Sequence, residues 1–289
     1  MFYVYDGSFE GLLSSLTIIM RSDPDSAFID PTFCGILREG NALTLLDSMT
    51  VENIPGIVDD FGEYIRRNFD EDMTKTIYQA YLSEIDGIEN AILEYIYLAR
   101  KLHIDPVNQL YHDCVRKVAG ASRRSGREAN RYLGLLRFRK MAYSVDFHAP
   151  LKPDAPVEPG SVSASSYESD DSTLSEIKAP TEVFVAHFEP ESCCLPLIAD
   201  HFAQRFPSQL FMIFDRKRHI CVLHPKGFKW TICPYDPSMD DISRFDSQFE
   251  NLWQRYFKIL SIPERVNPKL QKGIMPKRYW KYLIEKPGE

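Results

Sequence analysis

Two groups of cationic side chains are the residues of this sequence best suited to do chemistry. Between Arg116 and Lys140 lie Arg116, Lys117, Arg123, Arg124, Arg127, Arg131, Arg137, Arg139 and Lys140, offset locally only by Glu128. Small residues are interleaved, and aromatic ones stand at Tyr132 and Phe138. A guanidinium group keeps its charge and can bind two oxygens at once, which suits phosphate. The second group is Lys277, Arg278 and Lys281, directly after Pro276. Pro276 is expected to open a short closing helix, whose first turn carries unpaired N–H groups and positive potential. Cations repel such an end unless an anion sits between them. Arg123, Arg124, Arg127, Arg131, Arg137, Lys277, Arg278 and Lys281 are therefore expected to contact phosphate or nucleic acid. The alternative is a pair of solvated basic faces matched by carboxylates elsewhere in the chain.

Other chemistries have weaker sequence support. His187, Cys193, Cys194, His201, His219, Cys221, His224 and Cys233 gather in one stretch, and His219 and Cys221 would share a strand face. Their spacing matches no zinc module, and neutral cysteines in a β core account for it, so no metal is assigned. The sequence lacks the cysteine pattern of a radical-SAM cluster, a phosphate loop of the G-x-x-x-x-G-K type and a dinucleotide-binding glycine turn. No catalytic residue and no cofactor are implied.

The elements that must position these residues follow from periodicity. Phe2 to Tyr5 reads as a short strand closed by Asp6-Gly7, after which Ser8 caps a helix with Phe9, Leu12, Leu13, Leu16 and Met20 inward. Ile36-Leu37 and Leu43 to Leu46 flank Glu39-Gly40-Asn41 as a hairpin. Helical spacing then dominates, with Ile57, Val58, Phe61, Ile65 and Phe69 on one face and Met73, Ile77 and Tyr81 on another. A capping box at Asp86 and Glu89 is expected to start a helix with Ile88, Ile92, Tyr95, Ala99 and Leu102 inward. Asp105-Pro106 is expected to start the next, with Val107, Leu110, Tyr111, Cys114, Val115 and Val118 inward.

Residues 149–180 are rich in proline, serine and acid, and read as a mobile insertion. A second core follows. Strands are expected at Glu182 to Phe188, Leu210 to Phe214, His219 to Leu223 and Phe228 to Cys233, with a helix from Leu195 to Phe206. Tight turns between strands imply antiparallel pairing. Asp241 is expected to cap a long helix whose stripe of Ile242, Phe245, Phe249, Leu252, Trp253, Tyr256, Phe257 and Leu260 faces the core. Prolines and Gly273 divide Ile262 to Pro276 into turns. Tyr279 with Leu283, and Trp280 with Ile284, form the apolar stripe of the closing helix.

The fold class expected is α+β: a helical N-terminal layer with a short β element, then an antiparallel sheet covered by helices. The corresponding regions are 1–125, a basic segment 126–148 leading into the sheet, the insertion 149–180, and an α+β domain over 181–289. The 289 residues are 44% hydrophobic, enough for one large or two ordinary cores. A net charge of −7 excludes a protein that coats nucleic acid by bulk charge, so any such contact must be local. Six cysteines without a regular framework suit a reduced, cytoplasmic setting. The first residues lack the pattern of a signal peptide, and no apolar run is long enough to span a bilayer, so no membrane contact is expected.

Four sets of residues resemble the bacterial DNA-metabolism protein family, whose C-terminal part is a domain of unknown function. They are Tyr5-Asp6-Gly7-Ser8-Phe9-Glu10-Gly11-Leu12-Leu13; Gly126-Arg127-Glu128-Ala129 with Arg131, Gly134, Arg137 and Phe138; Leu195-Pro196-Leu197 with His201-Phe202 and Arg205-Phe206-Pro207; and Asn267-Pro268, Leu270-Gln271 and Met275 to Lys281. The resemblance covers nearly the whole chain outside 149–180. This chain departs from it at Asn130 and Leu133, where such proteins usually carry His and Lys, so no catalytic role is carried over there. The resemblance implies a role in DNA metabolism or repair. It also implies a radical-SAM partner similar to spore photoproduct lyase, since such proteins are typically encoded side by side, and the domain also occurs fused to uracil-DNA-glycosylase-like domains. The expectation is an accessory protein that binds DNA or presents it to that partner. The alternatives are a stand-alone enzyme on nucleic-acid bases or nucleotides, and a protein-interaction scaffold without nucleic-acid contact.

Overall fold

The structure is a computed structural model, and it describes residues 2–22, 35–39, 48–143, 181–235, 247–265 and 267–285. The expected insertion at 149–180 lies outside these residues. Two compact units emerge, and the division falls between Arg127 and Glu128, inside one helix. The architecture is mixed α and β, as expected. Among the described residues no helix is long and apolar enough to cross a membrane.

In the first unit, strand β1 (Phe2–Tyr5) leads into helix α1 (Phe9–Ser22). β1 then lies between β2 (Gly35–Arg38) and β3 (Ser48–Thr50), and both neighbours run parallel to it. All four residues of β1 are buried, as befits the middle strand of a parallel sheet. β2, the expected first arm of the hairpin, pairs parallel with β1, and the second arm, Leu43 to Leu46, lies outside the described residues. Asp6 organises the turn after β1. Its carboxylate accepts from the Ser8 amide at 2.9 Å and from the Asn53 side chain at 2.9 Å. Despite partial burial, these donors hold its carboxyl below the usual range. Gly7 adopts φ 86°, and a Cβ on Gly11 would lie 2.3 Å from Asp6 Oδ1. Both glycines are therefore required by this turn.

Helices α2 (Ile57–Asn68), α3 (Glu71–Tyr81) and α4 (Ile88–Leu102) bury the expected faces, including Ile57, Phe61, Ile65, Met73, Ile77, Ile92 and Tyr95. The capping box at Asp86 and Glu89 does not form. Gly87 caps α4 with a left-handed backbone, and Glu89 turns inward, 2.8 Å from Arg38 Nε and 3.1 Å from the Tyr5 hydroxyl. Without this carboxylate the half-buried Arg38 guanidinium would be left without its charge partner Glu89. Asp105-Pro106 opens only a 3₁₀ turn (Pro106–Asn108), and the next helix, α5, runs from Asp113 to Leu135. Leu110 and Tyr111 are consequently exposed, not inward.

The second unit holds a five-stranded sheet in the order β4 (Arg139–Tyr143), β5 (Thr181–Phe188), β6 (Phe211–Asp215), β7 (Ile220–His224), β8 (Thr231–Pro234). Its pairings are antiparallel except that β5 and β6 run parallel, because α6 (Leu195–Arg205) crosses between them. Leu195, Ile198 and Phe202 pack from α6 onto Phe211 and Ile213. Helix α7 (Ser247–Leu260) overturns the expectation of a core-facing stripe: Leu252, Tyr256, Phe257 and Leu260 are exposed. The helix attaches by other side chains. Trp253 Nε1 donates to Glu285 at 3.2 Å, Gln254 donates to the Ile284 carbonyl at 3.0 Å, and Glu250 faces Arg139. Asp241, Ile242 and Phe245 lie outside the described residues.

Pro268–Ile274 forms a short helix, α8, where turns were expected, because Asn267 caps it by accepting from the Leu270 amide at 3.0 Å. The closing segment, Lys277–Tyr282, is 3₁₀ instead of α, with Pro276 just ahead of it. Its apolar stripe is as expected: Tyr279, Trp280, Leu283 and Ile284 are buried, and Trp280 Nε1 donates to the Met275 carbonyl at 3.0 Å.

Candidate phosphate-binding site

The loop from Glu189 to Cys194 leaves the carboxyl end of β5 beside the carboxyl end of its parallel neighbour β6, the position where open sheets commonly bind ligands. Side chains from three other parts of the unit hold this loop. From α5, the buried Glu128 carboxylate accepts the amide N–H groups of Glu191 at 2.8 Å and Ser192 at 2.9 Å, and Tyr132 donates to the Glu189 carbonyl at 3.3 Å. From the turn between β6 and β7, Arg218 donates to the carbonyls of Pro190 at 3.2 Å and Glu191 at 2.7 Å. Arg218 is itself fixed by Asp215 at 2.8 Å. Burial raises the Asp215 carboxyl above its ordinary range, although Arg218 opposes the shift. The closing segment supplies the third group. Arg278 pairs with Glu191, Lys281 with Glu189 at 2.7 Å, and the Tyr282 hydroxyl donates to Glu189. These partners hold the Glu189 carboxyl below its usual range against the opposing effect of burial.

Cations outnumber acids on the outer side of this loop. Arg131, Arg216, Lys217, Arg278 and Lys281 stand against Glu189 and Glu191. Arg131 and Arg278 both donate to the Tyr279 hydroxyl, at 3.4 and 3.1 Å. Hydrogen bonding to Tyr279 and nearby Glu191 and Glu128 raise the Arg278 pKa further, although burial opposes this, so its charge is permanent. Two guanidinium groups on one oxygen repel each other, and an anion placed between them relieves the repulsion. Glu191, itself partly exposed, pairs with Arg278. A phosphate has the charge and acceptor geometry to sit between the two guanidinium groups from solvent.

The expected site residues divide into three sets. Arg131, Arg278 and Lys281 come together here, and Lys277 lies on the same segment, exposed, with its ammonium 5.8 Å from the Trp280 ring centre. Arg123, Arg124 and Arg127 are exposed on the part of α5 that belongs to the first unit, where Arg127 Nε donates to the Arg123 carbonyl at 3.1 Å. Arg123 and Arg127 pair with no carboxylate among the described residues. Arg137 is engaged internally: it meets Glu285 at 2.6 Å, stands 6.0 Å from the Trp253 ring centre, and is mostly buried. The basic run is also less one-sided than its local sequence suggests. Arg116 pairs with Asp113, Lys140 with Glu182 at 2.5 Å, and Arg139 lies 3.0 Å from Glu250, off the hydrogen-bond direction.

Sequence reasoning missed Arg216, Lys217, Glu128, Glu189 and Glu191. Glu128 had a signal: it falls at helical spacing on the buried stripe Val118, Ala121, Ser125, Tyr132, where a charge must have partners. Arg216 and Lys217 lie outside both basic groups, between two expected strands.

Of the histidines and cysteines, Cys221 and Cys233 lie together, with sulfurs 3.4 Å apart. His224 stacks on Phe211 at 4.6 Å and its Nδ1 lies 3.1 Å from the Gln209 carbonyl, and His187 stacks on Phe214 at 5.2 Å. His219 precedes β7 with φ 54°, so it does not share a strand face with Cys221. Among the described residues no three His, Cys, Asp or Glu side chains form a metal-holding group.

Residues 86–163 and 174–285 match the model of a family described as a domain of unknown function, DUF4130, and the chain belongs to that family. No curated protein and no solved structure matches it.

Proposed function

We propose that this chain is an accessory protein of DNA metabolism that grips the phosphate backbone of DNA and presents it to a radical-SAM partner enzyme. The observation that carries this reading is the convergence of Arg131 and Arg278 on the Tyr279 hydroxyl, with Lys217 and Lys281 beside them, in a protein of net charge −7. The internal carboxylates do not preclude the role. Glu189 and Glu191 are partly exposed, and surface ion pairs of this kind contribute roughly 0–1 kcal/mol each. Exchanging a carboxylate for a phosphate therefore costs little. Arg123, Arg127 and Lys277 are further phosphate contacts in this reading. The DNA-metabolism role and the partner rest on the resemblance of the motifs at Tyr5 to Leu13, Gly126 to Phe138 and Met275 to Lys281.

Fluorescence anisotropy of a short labelled duplex with the full chain at low salt tests it. Binding that weakens as salt is raised is expected for the wild type, and weaker binding for Arg131→Gln with Arg278→Gln. No affinity at low salt, with or without the partner enzyme present, refutes the proposal.

A further inference from the structure

Cys221 on β7 and Cys233 on β8 are partners in the strand register, and their sulfur atoms lie 3.4 Å apart. Directly opposed antiparallel residues have Cα atoms about 4.5–5.5 Å apart, inside the span of about 4.4–6.8 Å that a disulfide bridges. Closing the remaining gap to a bond of about 2.05 Å therefore needs side-chain rotation, not strand movement. Both cysteines are free thiols in this structure, Cys221 buried and Cys233 partly exposed. β8 ends the sheet among the described residues, so Cys233 is the sulfur a reagent reaches first.

We infer that Cys221 and Cys233 are a redox-modification site, a dithiol that closes reversibly to a cross-strand disulfide and staples the edge strand β8 to β7. The hydrogen bond shared by the two sulfurs holds the Cys233 thiol below its ordinary range against the opposing effect of burial, so Cys233 is the readier nucleophile of the pair. The same interaction and burial raise Cys221, which keeps its proton until the second step. The oxidant is a small-molecule disulfide. The Cys233 thiolate attacks one of its sulfurs, forming a mixed disulfide and expelling one thiolate. Cys221 then loses its proton, attacks the Cys233 sulfur and expels the second thiolate. Two protein thiols are oxidised, and one disulfide is reduced to two thiols. Burial holds Cys114 and Cys194 above the usual thiol range, which makes them poorer nucleophiles at neutral pH.

The test equilibrates the full wild-type chain in oxidised and reduced glutathione, blocks remaining thiols by alkylation and maps the products by mass spectrometry. The expected result is a peptide pair joined through Cys221 and Cys233, lost again on reduction, with Cys114, Cys193 and Cys194 alkylated. In Cys221→Ser, Cys233 should retain one glutathione, because the resolving thiol is gone. Alkylation of both Cys221 and Cys233 in the wild type under oxidising conditions, or linkage of either to another cysteine, overturns the inference. The wild-type map stands even if the serine variant folds poorly.

Discussion

Replacing Glu128 by Gln should release the loop on which the candidate site is built. The carboxylate is 4% exposed and accepts two backbone N–H groups, at 2.8 and 2.9 Å. A glutamine can still accept one of them through its oxygen, but it turns an NH₂ group toward the other and leaves that donor unpaired. Hydrogen bonds to charged groups contribute about 1.5–3 kcal/mol each, so one lost bond should destabilise the second unit by roughly that amount. Glu128→Ala forfeits both and should cost about 3–6 kcal/mol on the same scale. Trp230, Trp253 and Trp280 all belong to the second unit, so urea unfolding followed by tryptophan fluorescence reports on it selectively. Hydrogen exchange at the amides of Glu191 and Ser192 gives the local answer, and their protection should fall in the Gln variant. A stability change within about 0.5 kcal/mol, with both amides still protected, would refute the reasoning.

Three further outcomes follow from the geometry. Gly11→Ala places a methyl 2.3 Å from Asp6 Oδ1, in a carboxylate pinned by Ser8 at Oδ1 and by Asn53 at Oδ2, so a loss of about 1–3 kcal/mol is expected from circular-dichroism urea melts. Burial opposes ionisation of Glu285, but Arg137 and Trp253 hold its folded-state pKa below the value near 4.3 of an unfolded glutamate. The unfolded chain then binds more protons in that window, so this contribution is complete above about pH 4.3 and is lost as pH falls through the folded pKa. Glu285→Gln should flatten that part of the acid limb in a pH series of urea midpoints. An unchanged limb would remove Glu285 as a cause. Trp280→Ala empties the centre of the closing segment's packing and should cost about 3–5 kcal/mol by the same melts.

Much of the fold was legible because it rests on local spacing. The inward faces of α1, α2, α3 and α6, the strands β5 to β8, and the stripe Tyr279, Trp280, Leu283, Ile284 all follow from which residues recur at helical or alternating intervals, whereas β4 lay in a segment read only as basic. What was illegible depends on partners distant in sequence. Glu89 reads as a cap until Arg38 and Tyr5 are placed beside it. Arg137 reads as a surface cation, but its acid lies 148 residues away. Glu191 and Glu189 are 87 and 92 residues from the cations they meet. α7 shows the opposite failure: a strong apolar period marks one face of a helix but cannot say that the polar side chains Glu250 and Gln254, with Trp253, make its attachments. The site was half visible. Arg131, Arg278 and Lys281 came from charge density, whereas Arg216, Lys217 and the acids that arrange them required the fold.

The most direct measurement is the salt dependence of duplex DNA binding, compared between the wild type and a variant carrying Arg131→Gln, Lys217→Gln, Arg278→Gln and Lys281→Gln. Each phosphate contact contributes about −0.9 to the slope of log affinity against log salt. The account predicts that the variant's slope is shallower by roughly 3 to 4. Equal slopes for the two proteins would contradict it.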